Sequence, residues 1–160
     1  MSRNSPNPGF VVGLLAILMG ACVVDPSSDK ACTMLGCQNG FVVAFQASSW
    51  PTGSYQVALE ADGRTVLCSA TIPLAKGTPA NACDADDVQL GLSGSELAVA
   101  QQSLSEVRFL GTLPKQVRVI VRRDSSELAE QTYSPTYKTS QPNGPACEPT
   151  CTNASDVLSW

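Results

Sequence analysis

Seven cysteines in 160 residues, the first of them directly behind a long apolar run, constrain this chain more than any other feature. Residues 1–9 are polar and carry Arg3 and the amino terminus, Phe10 to Met19 is apolar, and the small pair Gly20-Ala21 leads into Cys22. A cationic start, a short apolar stretch and small residues before a boundary are the anatomy of an export signal. About ten apolar residues are too few for a hydrocarbon core that takes roughly 20 helical residues to cross. The run is therefore expected to be read and removed. The rest of the chain would mature in an oxidising compartment, where cysteines pair, so its fold has to be one that disulfides can close.

The residues at the boundary indicate which peptidase cuts. An ordinary signal peptidase takes small residues at both −3 and −1, and the residue at −3 from Cys22 is the bulky Met19. Leu18-Met19-Gly20-Ala21-Cys22 resembles the bacterial lipobox, which has a large apolar residue at −3, usually Leu, and a lipid-acceptor cysteine just after the cut. Met19 departs from the usual Leu. The resemblance implies that residues 1–21 are a lipoprotein signal peptide and that Cys22 carries fatty acids such as palmitate. The mature chain is then held on a membrane of the bacterial cell envelope, on its periplasmic or surface face. With Cys22 set aside, Cys32, Cys37, Cys68, Cys83, Cys147 and Cys151 remain, an even number that reads as three disulfides. Residues 22–31 contain Pro, Ser and Asp without periodicity and read as a flexible tether. Residues 32–160 are then one domain, since two would be too small to close separately.

Along that domain the apolar residues recur with a period of two, the mark of strands with one buried face. Phe41, Val43 and Phe45 alternate in a first strand. Trp50-Pro51-Thr52-Gly53 punctuates the chain before Tyr55, Val57 and Leu59 alternate in a second, and Asp62-Gly63 turns it into a third holding Val66, Cys68, Ala70 and Ile72. A Gly/Pro/Asn-containing loop from Pro73 ends at Cys83, and a fourth strand spans Val88 to Leu92. Residues 93–113 read as strand from the alternation of Ser95, Leu97, Val99 and Gln101, although Glu96 to Leu110 also suits a short helix. Lys115 to Arg123 alternates Val117, Val119 and Val121 against Arg118, Ile120 and Arg122, and Asp124-Ser-Ser turns it into Leu128 to Tyr133. A short terminal strand is expected around Val157 and Leu158. Seven or eight short strands at this spacing make an all-β, immunoglobulin- or prealbumin-like antiparallel sandwich stapled by disulfides.

Pro51-Thr-Gly-Ser-Tyr55, followed by Val57, Leu59 and Asp62-Gly63, resembles prealbumin-like and carboxypeptidase-regulatory-like domains, in which such a turn opens a central strand. The tail Gln141-Pro-Asn-Gly-Pro-Ala-Cys-Glu-Pro-Thr-Cys151 resembles that of cysteine-containing bacterial lipoproteins that share a lipobox, a short β domain and this closing motif. Neither resemblance implies an activity.

Cys68 with Cys83 is the first pairing to expect, closing a loop of 15 residues for roughly 3 kcal/mol on the chain-entropy model. The two close pairs, Cys32/Cys37 and Cys147/Cys151, either close locally or link to one another. The first precedes the opening strand and the second the closing strand. In many sandwiches these strands run parallel side by side, with adjacent starts. Crossed bridges would close a long loop worth about 4.7 kcal/mol, far more than local ones, so crossed pairing is expected.

Histidine is absent, which removes the usual neutral-pH general base and the commonest metal ligand. Gly91-Leu-Ser-Gly-Ser95 fails the Gly-x-Ser-x-Gly pattern at its last position. Ser27-Ser-Asp-Lys30 spells Ser-x-x-Lys but lies on the tether, away from any core. Asp84-Ala-Asp-Asp87 lacks the glycine and distal Glu of a calcium loop and reads as a solvated acidic loop. The cysteine pairs have spacings longer than a zinc knuckle's and would lie in an oxidising compartment. No catalytic residue, metal or cofactor is expected. Loss of Arg3 with the leader takes the net charge from −4 to −5, a sign that argues against nucleic acid or anionic lipid as partners. The expectation is a membrane-anchored, non-enzymatic lipoprotein that binds an envelope protein or ligand as an adhesion, scaffold or binding module. The alternative is a regulatory or inhibitory domain that docks on an envelope enzyme.

Overall fold

Strict alternation puts Phe41, Val43 and Phe45 on one face of the first strand, and all three are buried in the computed structural model. The structure describes residues 32–77 and 82–160; Cys22, the leader, the tether and the Ser-x-x-Lys spelling lie outside the described residues. In chain order the strands are β1 (Gly40–Gln46), β2 (Gly53–Ala61), β3 (Arg64–Ile72), β4 (Val88–Ser93), β5 (Ser103–Leu110), β6 (Val117–Arg123), β7 (Ser126–Tyr133), β8 (Lys138–Ser140) and β9 (Cys151–Ser159). One sheet has the order β4-β5-β1-β9-β8 and the other β3-β2-β6-β7. The fold is an all-β sandwich.

The inner faces carry the core. Phe41, Val43, Val57, Leu59, Ile72, Leu104, Val107, Phe109, Val117, Val119 and Val121 have no solvent exposure. Phe41 joins the sheets, with ring centroids 6.4 Å from Phe109 and 6.1 Å from Tyr133. Each fully buried side chain of this kind contributes about 1.5–3 kcal/mol by removing apolar area from water. The outer face of the second sheet is polar apart from one strip in register, Leu67, Ala58 and Ile120; Leu67 is exposed, and Ala58 and Ile120 are buried, Ile120 at 3% exposure. Its neighbours along β6 on that face are Arg118 and Arg122, whose aliphatic stems are suited to cover it.

β1 is the hinge of the topology. It pairs antiparallel with β5 and parallel with β9, in a register that sets Gly40 opposite Asn153 and Gln46 opposite Ser159. At Gly40 a Cβ would stand 2.0 Å from the carbonyl oxygen of Phe109, so only glycine lets β1 begin this close to β5. The two hairpins turn on residues with positive φ: Asp62 and Gly63 between β2 and β3, Asp124 and Ser125 between β6 and β7. That is the geometry of two-residue turns whose twist matches the strands.

Two expectations are revised. Residues 95–101 are not a strand: a turn, in which the Leu97 N–H donates to the Gly94 carbonyl, leads into a single 3-10 turn, Val99–Gln101. Leu97 and Val99 are exposed and the buried residue is the polar Gln102. The Gln102 amide oxygen accepts from the Leu74 N–H at 2.7 Å and its nitrogen donates to the Leu97 carbonyl at 3.1 Å, so hydrogen bonding overrides the apparent alternation. The terminal strand is nine residues long, because Asn153 to Ser159 pair with β1 and Cys151 to Asn153 pair with β8 on the other side. Of its Val157-Leu158 pair only Leu158 is buried.

Candidate functional site

The parallel pairing of β1 and β9 brings the segments preceding both strands side by side. Cys32 is bonded to Cys147 and Cys37 to Cys151, with Cα atoms 5.8 and 6.0 Å apart. This is one of the two crossed arrangements. Asn39, just ahead of β1, completes the junction, its side-chain oxygen accepting from the Thr152 N–H at 2.7 Å. Cys68 and Cys83 form the third bridge. It straps residues 82–84 onto β3 between two backbone hydrogen bonds, from Ser69 N–H to the Ala82 carbonyl and from Asp84 N–H to the Leu67 carbonyl.

Between the crossed bridges the chain makes a short loop, Thr33-Met-Leu-Gly36, held by a residue more than 100 positions away. The Asn143 side-chain oxygen accepts from the Thr33 hydroxyl at 2.6 Å and the Leu35 N–H at 2.9 Å. Its nitrogen donates to the Leu35 carbonyl at 3.0 Å and the Glu148 carbonyl at 2.6 Å. With its backbone fixed from behind, the loop turns its side chains outward: Met34 is 99% exposed and Leu35 57%. Sequence reasoning missed these three residues. Their signals were an apolar pair between two closely spaced cysteines and an asparagine at the centre of the Gln141–Pro145 motif.

The acidic stretch at 84–87 is more than a solvated loop. Asp87 takes both guanidinium nitrogens of Arg64, at 3.0 and 2.7 Å, and the Thr112 hydroxyl at 2.8 Å. The hydrogen bond from Arg64 holds the Asp87 carboxyl below the usual carboxylate range, against a smaller opposing effect of burial. Asp84 accepts from the Leu67 N–H at 2.9 Å. The two carboxylates thus tie the start of β4 to β3 and to the strand-end loops. On the outer face of the second sheet, Arg118 lies between Glu130 at 2.8 Å and Glu60 at 3.0 Å, and Arg122 reaches Glu127 at 3.5 Å. Among the described residues no three His, Cys, Asp or Glu side chains form a group that could hold a metal ion.

Two clefts remain. One, of about 400 Å³, lies beside Phe45 and Trp50 and is otherwise lined by Ala, Ser, Gln and Leu residues including Ser48, Ser49, Gln101 and Ser103, with no charged side chain. Trp50 belongs to an aromatic cluster at that end of the sandwich, 5.2 Å from Tyr55 and 5.1 Å from Trp160 between ring centroids. The other, of about 430 Å³, is polar and runs along β9 between Ser134, Lys138 and Asp156. Compared with family models, curated proteins and solved structures, the chain finds no match.

Proposed function

We propose that this chain is a bacterial envelope lipoprotein, anchored through Cys22, whose sandwich acts as a non-enzymatic binding module. The observation that carries the proposal is the use of the cysteines. All six in the described domain are bonded to one another, so the seventh has no disulfide partner within the chain. A lone thiol behind an export leader is accounted for by lipid. The crossed bridges suit a tethered domain, because a pull on the anchor arrives first at Cys32–Cys147 and Cys37–Cys151 and spares the hydrogen bonds of β1.

The clustered carboxylates support a binding role over a catalytic one, since Asp87, Glu60, Glu127 and Glu130 are engaged by arginines across strands. The uncharged cleft at Trp50 supplies hydroxyl and amide groups next to an indole, a combination that suits a neutral, hydroxyl-bearing ligand. Metabolic labelling with a fatty-acid analogue tests the anchor: the wild type takes up label and sediments with membranes, and Cys22→Ala does neither. A wild type that stays unlabelled and soluble overturns the reading. The ligand face is tested by tryptophan emission during titration with neutral oligosaccharides, because both tryptophans, Trp50 and Trp160, sit at that end. Emission that stays unchanged across the series removes the cleft as the binding face.

A further inference from the structure

We infer that the loop from Cys32 to Cys37 is a second contact with the membrane, in which Met34 and Leu35 enter the lipid surface beside the acyl anchor. The inference rests on the anchored reading above. Met34, at 99% exposure, and Leu35, at 57%, are the two most exposed large hydrophobic residues of the described domain. Adjacent in sequence, they form one apolar point with no charged residue between the bracketing cysteines.

The point is rigid. Its ends are fixed by the two crossed bridges and its middle by the Asn143 amide on both backbone groups of Leu35. A loop held in this form gives up little conformational freedom on inserting, which is the main cost of ordering a flexible apolar segment at an interface.

Position identifies the occupant. Cys32 follows Cys22 by only ten residues, a chain that spans at most about 35 Å fully extended. The loop is therefore the first part of the domain to come within reach of the bilayer that holds the anchor. The chain is net negative, so an apolar contact suits it better than attraction to anionic headgroups. Two protruding side chains cover far less than the roughly 800 Å² per partner of a stable protein interface, which disfavours a second copy. Acyl chains alone leave the domain free to swing; an apolar point beside them fixes which end of the sandwich faces the lipid.

The test uses the full chain, processed in cells and reconstituted into phosphatidylcholine vesicles containing a diazirine-bearing phosphatidylcholine. After irradiation and reduction, the label is mapped by peptide mass spectrometry. The expected result is label on the peptide carrying Thr33 to Gly36 and its loss in Met34→Ser/Leu35→Ser, which still sediments with the vesicles through Cys22. Label confined to other segments, or equal in wild type and variant, overturns the inference while leaving the anchor intact. Failure of the wild type to sediment overturns the anchor and this inference with it. A wild-type dimer that becomes monomeric in the variant assigns the loop to a second copy and overturns the lipid contact.

Discussion

The side chain of Asn143 brackets the backbone of Leu35, accepting from its N–H at 2.9 Å and donating to its carbonyl at 3.0 Å across 108 residues of sequence. A side-chain amide can do both at once, since its oxygen accepts while its NH2 group beside it donates. Asn143→Asp turns the donor into an acceptor that faces the carbonyls of Leu35 and Glu148. The junction is largely exposed, so the expected loss is about 1–2 kcal/mol, seen as a lower melting temperature. Hydrogen exchange at the Leu35 amide is expected to accelerate with the disulfides still formed. Unchanged exchange there would show that the bridges alone hold the loop.

The crossed bridges are expected to be strongly non-additive. Each spans a sequence separation of 114 or 115, yet once one is closed the other adds only a ring of about ten residues. On the chain-entropy model the ring is worth roughly 2.7 kcal/mol and the long closure roughly 4.8 kcal/mol. Removing either bridge by paired Cys→Ser substitution should therefore cost about 2.7 kcal/mol, and removing both about 7.5 kcal/mol, more than twice the single loss. Denaturant titrations of the three variants measure this. Additive losses would place the two bridges in independent parts of the fold.

The strands were legible where burial alone decides, as at Phe41, Val43 and Phe45 or at Val117, Val119 and Val121, because a half-buried sheet imposes a period of two. The reading failed where a polar group outweighs the pattern. Leu97 and Val99 alternate like a strand, but the buried Gln102 amide claims the neighbouring backbone groups. Two elements of the site lay beyond any local pattern. The Arg64–Asp87 pair depends on the Cys68–Cys83 strap that lays the approach to β4 against β3, and the Asn143 bracket on β1 and β9 being parallel. Composition pointed to the cysteines; topology decided which of them meet.

Asp87 gives the acid limb of the stability profile a defined contribution. Arg64 lowers its pKa from the ordinary 3.8, helped by Thr112. A depressed folded-state pKa stabilises at pH values above the unfolded value, and the contribution is lost as pH falls from 3.8 through the lower folded value. Arg64 and Asp87 are 45% and 30% exposed, so screening limits the pair to about 0.5–1 kcal/mol, a few degrees of melting temperature. Asp87→Asn should melt lower at neutral pH and approach the wild type in acid. Parallel curves across the whole range would show that the carboxylate's charge contributes nothing.

The alkaline limb belongs to the tyrosines. The chain has three, and each hydroxyl donates to a backbone carbonyl: Tyr55 to Pro51 at 2.7 Å, Tyr133 to Val157 at 2.9 Å, Tyr137 to Pro114 at 2.8 Å. Ionisation would destroy each bond and set a phenolate against a carbonyl oxygen in a partly dry site. Burial raises all three from the ordinary 10.0; Arg123 opposes the rise at Tyr55, while Asp156 reinforces it at Tyr133. Tyr137 is pushed up to about 12 by burial and then by the charge of Asp62. A folded pKa above the unfolded one gives stability that is complete below pH 10.0 and lost as pH rises towards 12, because the unfolded chain sheds protons that the native chain retains. A spectrophotometric titration of tyrosinate should accordingly lag well behind that of the denatured chain, with the last step coinciding with unfolding. Tyr137→Phe should start less stable by about 1 kcal/mol for its lost hydrogen bond and then decline less steeply with pH, because it carries no proton there to lose. Native and denatured curves that coincide would mean that none of the three hydroxyls is held by its carbonyl.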